Sequence, residues 1–452
     1  MKKVFFPYGI QTEVMTKDII LEPSETRSIS ETLDRSLPLL WNAIQRAGTD
    51  SPFWNSRFCQ QGIEPSDICG LDKFTSIPLL DKADVLKDQI ENAPFGTLNT
   101  IPQEKLIRIH RTSGTTSEPL LVYLTPEDLS NVIKAGRLAF LCAGIEPSDV
   151  VIHCLNYCMW AGGVTDHQCL EAAGATVIPF GVGNSSFLLN MILRTQPTAL
   201  SCTPSYLTRL KQLLNDDFGL LPTDLKLKSA FLGGEGGLQD ITFRKAIEDE
   251  WGIRAIDANY GLSEILSIIA SECIERDGLH FHAHEILFPE LIDEKGRSIN
   301  ISKGAIGELV LSNLVRQAQP LFRYRTHDLV EIISDDLCTC GRQGFRFKVI
   351  DRTDDMVIVK GVNFFPNVLQ GYFSDRRWFT GEYRVYVPKP PIHELRVDVE
   401  RASNPNRVDW TSLANDLIFQ IAELHSIKIS IRFVDYGSIP KTVDKTKRLI
   451  RE

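Results

Sequence analysis

Residues 111–119 read RTSGTTSEP. Ser113, Gly114, Thr115 and Thr116 bring hydroxyls, backbone N–H groups and little bulk to one place, which is what a chain needs to close around phosphate oxygens. The same composition suits a Ser/Thr turn between strands, and the stretch lacks the GxxxxGK spacing of a P-loop. Grip or turn is decided by what the rest of the chain supplies. NYGLSE at 259–264 offers the aromatic face of Tyr260, a tight turn at Gly261 and the carboxylate of Glu264. RYRTHD at 323–328 ends on a second carboxylate, Asp328. DRTDDMVIVKGVNFFP at 351–366 and IPKTVDKTKR at 439–448 follow in order. The cysteines form a further set: Cys338 and Cys340 stand as CxC beside Gly341, and His280 follows Cys273. Three thiolates and an imidazole suit tetrahedral zinc, with His282 or His284 as alternative ligands. The other reading is unpaired thiols beside a loop.

The periodicity indicates which elements must position these groups. Residues 25–105 mix helix-period segments such as ETLDRSLPLLWNAIQRAG with Pro-broken loops. From about residue 106, short apolar runs (DVVIHCLNY, GATVIPF) alternate with helical segments such as SFLLNMILRTQP, the pattern of a parallel sheet with covering helices. Around residue 280 the chain turns β-rich, in GAIGELVLSNL and DLVEIIS. The end carries its own strands and helix: EYRVYVP, ELRVDVE, WTSLANDLIFQIAEL and KISIRFV. The expected fold is α/β: a large domain of parallel and mixed sheets with covering helices and a β-rich subdomain over 1–353, and a small mobile α+β domain over 354–452.

Bulk properties narrow the partners. The 452 residues carry a net charge of −9, which disfavours nucleic acid and anionic membrane. No stretch approaches the roughly 18 apolar residues of a membrane span. The start, MKKVFFPYGIQTEV, lacks the apolar core of a signal peptide, and ten scattered cysteines read as reduced thiols or metal ligands, which points to the cytoplasm.

The ordered set resembles the adenylate-forming superfamily of acyl-CoA synthetases, luciferases and peptide-synthetase adenylation domains. Within it the chain is most similar to the phenylacetate-CoA ligase group, through TPSYL at 203–207, GLSE, GVNFFP, CTCGR and the early SPFWNSRF…GIEPSDICGLDKFTSIPLLDKADV. The resemblance runs from about residue 50 to the C-terminus. It implies that a small carboxylic acid attacks the α-phosphate of ATP, releasing pyrophosphate, and that a thiol of coenzyme A or a carrier-protein pantetheine then displaces AMP. A stand-alone loader of carrier proteins is the alternative within the family; a degenerate nucleotide or acyl-adenylate binder is the alternative outside catalysis. A homodimer is compatible with either.

The resemblance also implies roles. Lys445 would span the carboxylate and phosphate oxygens, offsetting the repulsion of an anion approaching a polyanion. Glu264 would hold Mg²⁺ with Thr115 or Thr116 nearby. Tyr260 would lie against the adenine, with Gly261 and Ser263 beside it and Gly234 and Glu235 of GGEGG (233–237) lining its other side. Asp328 would accept the ribose hydroxyls and Arg352 would bond ribose or phosphate. Asp354 would be the hinge. In NYCMWAGGV (156–164), Tyr157, Trp160 and Gly162 would suit a flat aromatic acid. The relatives that carry the Cys273, His280, Cys338, Cys340 pattern hold it as a structural site.

Two departures from the family pattern bear on rate. GTTSEP puts Ser117 and Glu118 where relatives carry Gly and Lys, adding an anion beside the triphosphate. Asp444 precedes Lys445 where relatives carry Gly, and Asp tolerates the left-handed region better than most residues.

Overall fold

The structure is a computed structural model, and it describes residues 3–5, 11–13, 21–112, 119–235, 238–355, 357–360, 362–373, 378–389, 392–402, 408–440 and 448–452. The phosphate-grip candidates Ser113, Gly114, Thr115 and Thr116, the departures Ser117, Glu118 and Asp444, and Lys445 all lie outside the described residues. The chain separates into two compact units, Met1–Gly181 with Ile256–Ile350, and Val182–Ala255 with Asp351–Glu452. Among the described residues no helix is long and apolar enough to cross a membrane.

The first unit combines the expected parallel and antiparallel parts. Val150–His153 pairs in parallel with Thr176–Pro179, joined by the helix Ala161–Ala172, as short β-branched runs flanking a helical segment require. Its β-rich part is a run of neighbouring strands: Leu287–Ile292, Ile306–Asn313, Tyr324–Ser334, Arg346–Arg352, Leu279–Phe281, Leu266–Glu272 and Arg254–Leu262. The core beneath includes Trp54, Phe58, Phe74, Phe322, Tyr324 and Phe347, with the amphipathic helix Ile29–Asp50 packed against it. The segment SIPLLDK joins the Tyr324 strand through Leu80, whose N–H bonds Arg323 O at 2.9 Å and whose carbonyl accepts from Arg325 N at 3.0 Å.

The second unit holds the parallel pair Ala199–Cys202 and Ser229–Gly233. It also holds a four-stranded sheet in the order Ile429–Val434, Leu395–Arg401, Phe379–Val387 and Leu449–Arg451. The helix Trp410–His425 buries Leu417 and Ile421 in that sheet's core with Tyr383, Val385, Val397 and Val399. This is the terminal α+β arrangement that the alternating strands and the 3.6-period helix of the sequence require.

Candidate active site

Glu264 sits in the turn Ser263–Ile265 between the strands Arg254–Leu262 and Leu266–Glu272. Its carboxylate is 8% exposed; Oε1 accepts the Tyr324 hydroxyl at 2.8 Å and lies 3.7 Å from Lys82 Nζ. Four residues earlier, Tyr260 donates its hydroxyl to Asp328 Oδ2 at 2.7 Å, and its ring meets the edge of Phe347 at 5.3 Å. Asp328 is buried, and its N–H bonds Thr326 Oγ1. The strand Tyr324–Ser334 alternates buried and half-buried residues, so Tyr324, Thr326 and Asp328 share one face. Tyr324 and Asp328 therefore deliver a phenol to Glu264 and a carboxylate to Tyr260. His327, at φ +59, turns the other way and pairs with Asp81 at 2.7 Å.

Gly261 corrects the expectation of a tight turn. It lies within the strand Arg254–Leu262, and a Cβ there would stand 2.1 Å from Ser267 O. Close approach of the neighbouring strand, at an irregularity of register between Leu266 and Ala270, is what requires glycine. Arginines 323 and 325 are structural partners: Arg323 reaches Glu290 and the carbonyls of Thr75 and Ile77, and Arg325 grips Glu308 with two hydrogen bonds of 2.9 and 2.7 Å.

In the second unit, Gly234 adopts φ +77 and Glu235 accepts from Ser205 N at 3.2 Å and Ser205 Oγ at 2.9 Å. Glu235 thus binds at the first turn of the helix Pro204–Leu213, where an anion is favoured, and ties GGEGG to TPSYL. Arg352 does not stand alone; its Nε and Nη2 bond Asp354 Oδ1 and Oδ2 at 2.9 and 2.8 Å. The Asp354 carbonyl also accepts from Arg451 Nη2 at 3.1 Å.

The stretch NYCMWAGGV leads from the strand Val150–His153 into the helix Ala161–Ala172, which Trp160 precedes as N-cap residue. Tyr157 bonds His167 Nδ1 at 3.1 Å. Gly163 packs so closely that a Cβ would stand 2.1 Å from Asn156 O. His153 is fully buried, its Nε2 2.9 Å from Gly163 O. Burial lowers its pKa to about 4 despite the opposing Gly163 and Gly162 carbonyls.

Cys273, His280, Cys338 and Cys340 come together, all buried, with ligand atoms within 4.8 Å of one another. The 3.9 Å between Cys273 Sγ and Cys338 Sγ, and the 3.7 Å between Cys340 Sγ and His280 Nε2, match the edges of a tetrahedron with metal–sulfur bonds of about 2.3 Å, roughly 3.6–3.8 Å. The turn that presents the CxC pair is closed by Cys338 N–H to Arg342 O at 2.8 Å and Gly341 N–H to Cys338 O at 2.9 Å. Of the two alternative imidazoles, His282 bonds Ser271 Oγ at 3.0 Å and His284 packs against Phe281 and Phe345.

The AMP-binding enzyme family matches residues 66–313, and the AMP-binding enzyme C-terminal domain matches 361–452. The chain belongs to the AMP-binding enzyme family. It is 33% identical to a phenylacetate-coenzyme A ligase of Pseudomonas putida over 86% of each chain. It is 30% identical to a phenylacetate-coenzyme A ligase of Escherichia coli (strain K12) over 95% of this chain and 97% of that one. A crystal structure of 2-hydroxyisobutyryl-CoA ligase in the post-adenylation state superposes with a TM-score of 0.88, covering 99% of this chain and 95% of that one at 23% identity, which speaks for the fold alone. Within the AMP-binding enzyme family this is an AMP-forming acid–CoA ligase of the phenylacetate-CoA ligase type.

Some groups at the site escaped the sequence. Lys82 lies in PLLDKADV, which carries the resemblance without a role attached, and Leu80's bridge to the Tyr324 strand is what brings it to Glu264. Asp166, His167 and Glu171 sit one and two turns beyond Gly162; the i,i+4 spacing of His167 and Glu171 was the available signal.

Because the folded pKa of His153 is below the roughly 6.5 of an unfolded histidine, the unfolded chain binds a proton that the native state refuses. Stability is therefore expected to fall as pH drops from about 6.5 to 4, by up to about 1.4 kcal/mol per pH unit from this residue. Urea unfolding between pH 7 and 5 checks it: His153→Gln should flatten the slope, and an unchanged slope rules the account out.

Proposed function

We propose that the chain uses ATP to convert a carboxylic acid, aromatic or heteroaromatic by preference, into an acyl-adenylate and then transfers the acyl group to coenzyme A. The observation that carries this reading is the pair of phenol–carboxylate contacts, Tyr260–Asp328 and Tyr324–Glu264, made between the strand Tyr324–Ser334 and the strand Arg254–Leu262 with the turn that follows it. Matches to both family domains in chain order support it.

Binding and charge control follow from these residues. Asp328 accepts the ribose hydroxyls while Tyr260, fixed by its bond to Asp328, offers its ring to the adenine. Glu264 suits Mg²⁺, with Thr115 or Thr116: Oε1 is engaged by Tyr324, and among the described residues Oε2 makes no hydrogen bond. When bound, the ion would screen the phosphate charges. The substrate carboxylate oxygen attacks the α-phosphorus and the bond to pyrophosphate breaks. Lys445 places its ammonium against the charge that accumulates between them. The coenzyme A thiol, losing its proton, then attacks the acyl carbon and AMP leaves.

Pyrophosphate exchange across a panel of carboxylic acids is the direct test. Carboxylate-dependent pyrophosphate exchange is expected with at least one aromatic acid, and Lys445→Ala should reduce it by at least about a hundredfold. Nucleotide binding without exchange across a broad panel overturns the reading in favour of a non-catalytic binder. Acyl transfer to a carrier protein but not to coenzyme A would move the acceptor.

We place the hinge between domains 1–353 and 354–452 at Asp354, whose side chain is clasped by Arg352. A few torsions at an element end can carry such a rotation. Asp354→Pro is expected to slow thioester formation more than adenylation in single-turnover assays; equal losses in the two half-reactions would speak against a hinge there.

The four-residue cluster is assigned to a structural zinc. Its donor set, burial and ligand separations fit the ion. Glu25 steadies the CxC turn, accepting Arg342 Nε at 2.6 Å while its carbonyl accepts Gln343 N at 2.7 Å. Protein purified without added metal should carry about one zinc per chain. Cys338→Ser/Cys340→Ser should lose the zinc and unfold at lower temperature, and a metal-free wild type of equal stability disproves the assignment.

A further inference from the structure

Two polar groups, one on the stretch assigned to the acyl pocket and one just beyond it, have no task in the reaction above. The first is Tyr157. Its hydroxyl lies 3.1 Å from His167 Nδ1, and His167 Nε2 lies 3.0 Å from Glu171 Oε1. With Glu171 accepting the Nε2 proton, the neutral imidazole presents a lone pair at Nδ1, and the phenol spends its only proton on it. Burial raises the phenol's pKa, with Cys154, Asp166 and Glu171 adding to the effect. The Tyr157 oxygen is left as an acceptor, oriented by the imidazole behind it.

The second is Asp166, in the helix Ala161–Ala172. It is 1% exposed; Oδ2 accepts a hydrogen bond from Asn259 Nδ2, and among the described residues Oδ1 has no partner. Leaving a buried oxygen unsatisfied costs on the order of 1–3 kcal/mol, and native structures seldom do so without a reason. Burial raises its pKa above the ordinary carboxyl range, with the Asn259 bond opposing, which favours the protonated form that can donate as well as accept. Its Oδ2 stands 3.6 Å from where a Cβ on Gly162 would lie, which places it against a pocket residue.

We propose that the acid this chain activates bears a hydroxyl or amino group, which donates its hydrogen to the Tyr157 oxygen and pairs with Asp166 Oδ1. This rests on the acid-activating reading and narrows its substrate class. A site built around buried hydrogen-bonding groups rejects the analogue that lacks the partner, because those groups are then left unpaired. A purely apolar pocket would show no such preference.

Matched pairs test it by pyrophosphate exchange on the full chain: phenylacetate against its ring-hydroxy and ring-amino derivatives, and benzoate against the corresponding hydroxy- and aminobenzoates. At least one substituted acid is expected to exceed its parent by at least about tenfold in kcat/KM. Tyr157→Phe and Asp166→Asn, the latter retaining a partner for Asn259, should each reduce that ratio by a similar factor. A role confined to folding would leave the ratio in place while lowering both rates. Unsubstituted parents as the best acids, or ratios unmoved in both variants, overturn the proposal and leave the acid-activating reading intact. Absence of exchange with every acid removes both.

Discussion

The arrangement at the strand ends depends on one constraint: carboxylates removed from water must have their oxygens met. Glu264 and Asp328 are both buried, and each receives a tyrosine hydroxyl, from Tyr324 and Tyr260 respectively. A phenol supplies a directional donor without bringing a second formal charge, so the carboxylate stays available to a cation or to sugar hydroxyls. A guanidinium in the same place would neutralise it. The arginines of RYRTHD are accordingly spent elsewhere, on Glu290 and Glu308, where they tie strands together. Strand alternation sorts the two uses, sending Tyr324 and Asp328 to one face of their strand and Arg325 and His327 to the other.

Beside this site the cysteine cluster has the character of a clip. Cys273 directly follows one strand, His280 lies on the next, and the CxC turn leads into a third, so a single ion would pin three strands that lie close to Tyr260's ring contact with Phe347. The Glu25–Arg342 ion pair, 3% exposed on both sides, is tolerable at that depth because Glu25 also meets His282 and its backbone is bonded to Gln343. The N-terminal segment is thereby recruited to the support of the turn.

Much of this is legible in the amino-acid sequence. The order of the motifs announced the AMP-binding enzyme family, and the strand–helix rhythm announced a mixed α/β fold with a terminal α+β piece, because periods of 2 and 3.6 are set by backbone geometry alone. The zinc-type ligand set was also legible, although 65 residues separate Cys273 from Cys338, because soft donors with this pattern are chemically unusual.

What the chain could not reveal by itself is which polar groups lose contact with water. Asp166 reads in the sequence as an ordinary helical carboxylate, and only the tertiary packing of its helix buries it, with Asn259 bonded to one oxygen. Lys82 reads as a solvated cation, and a backbone bridge from Leu80 to Tyr324 is what carries it to Glu264. The choice of His280 over His282 and His284 follows from the pairing of its strand, with Ser271 opposite His280 and bonded to His282. Local residue types determine elements and donor chemistry; the energy of a buried charge or an unmet hydrogen bond depends on neighbours distant in sequence, and those are assembled only by the tertiary fold.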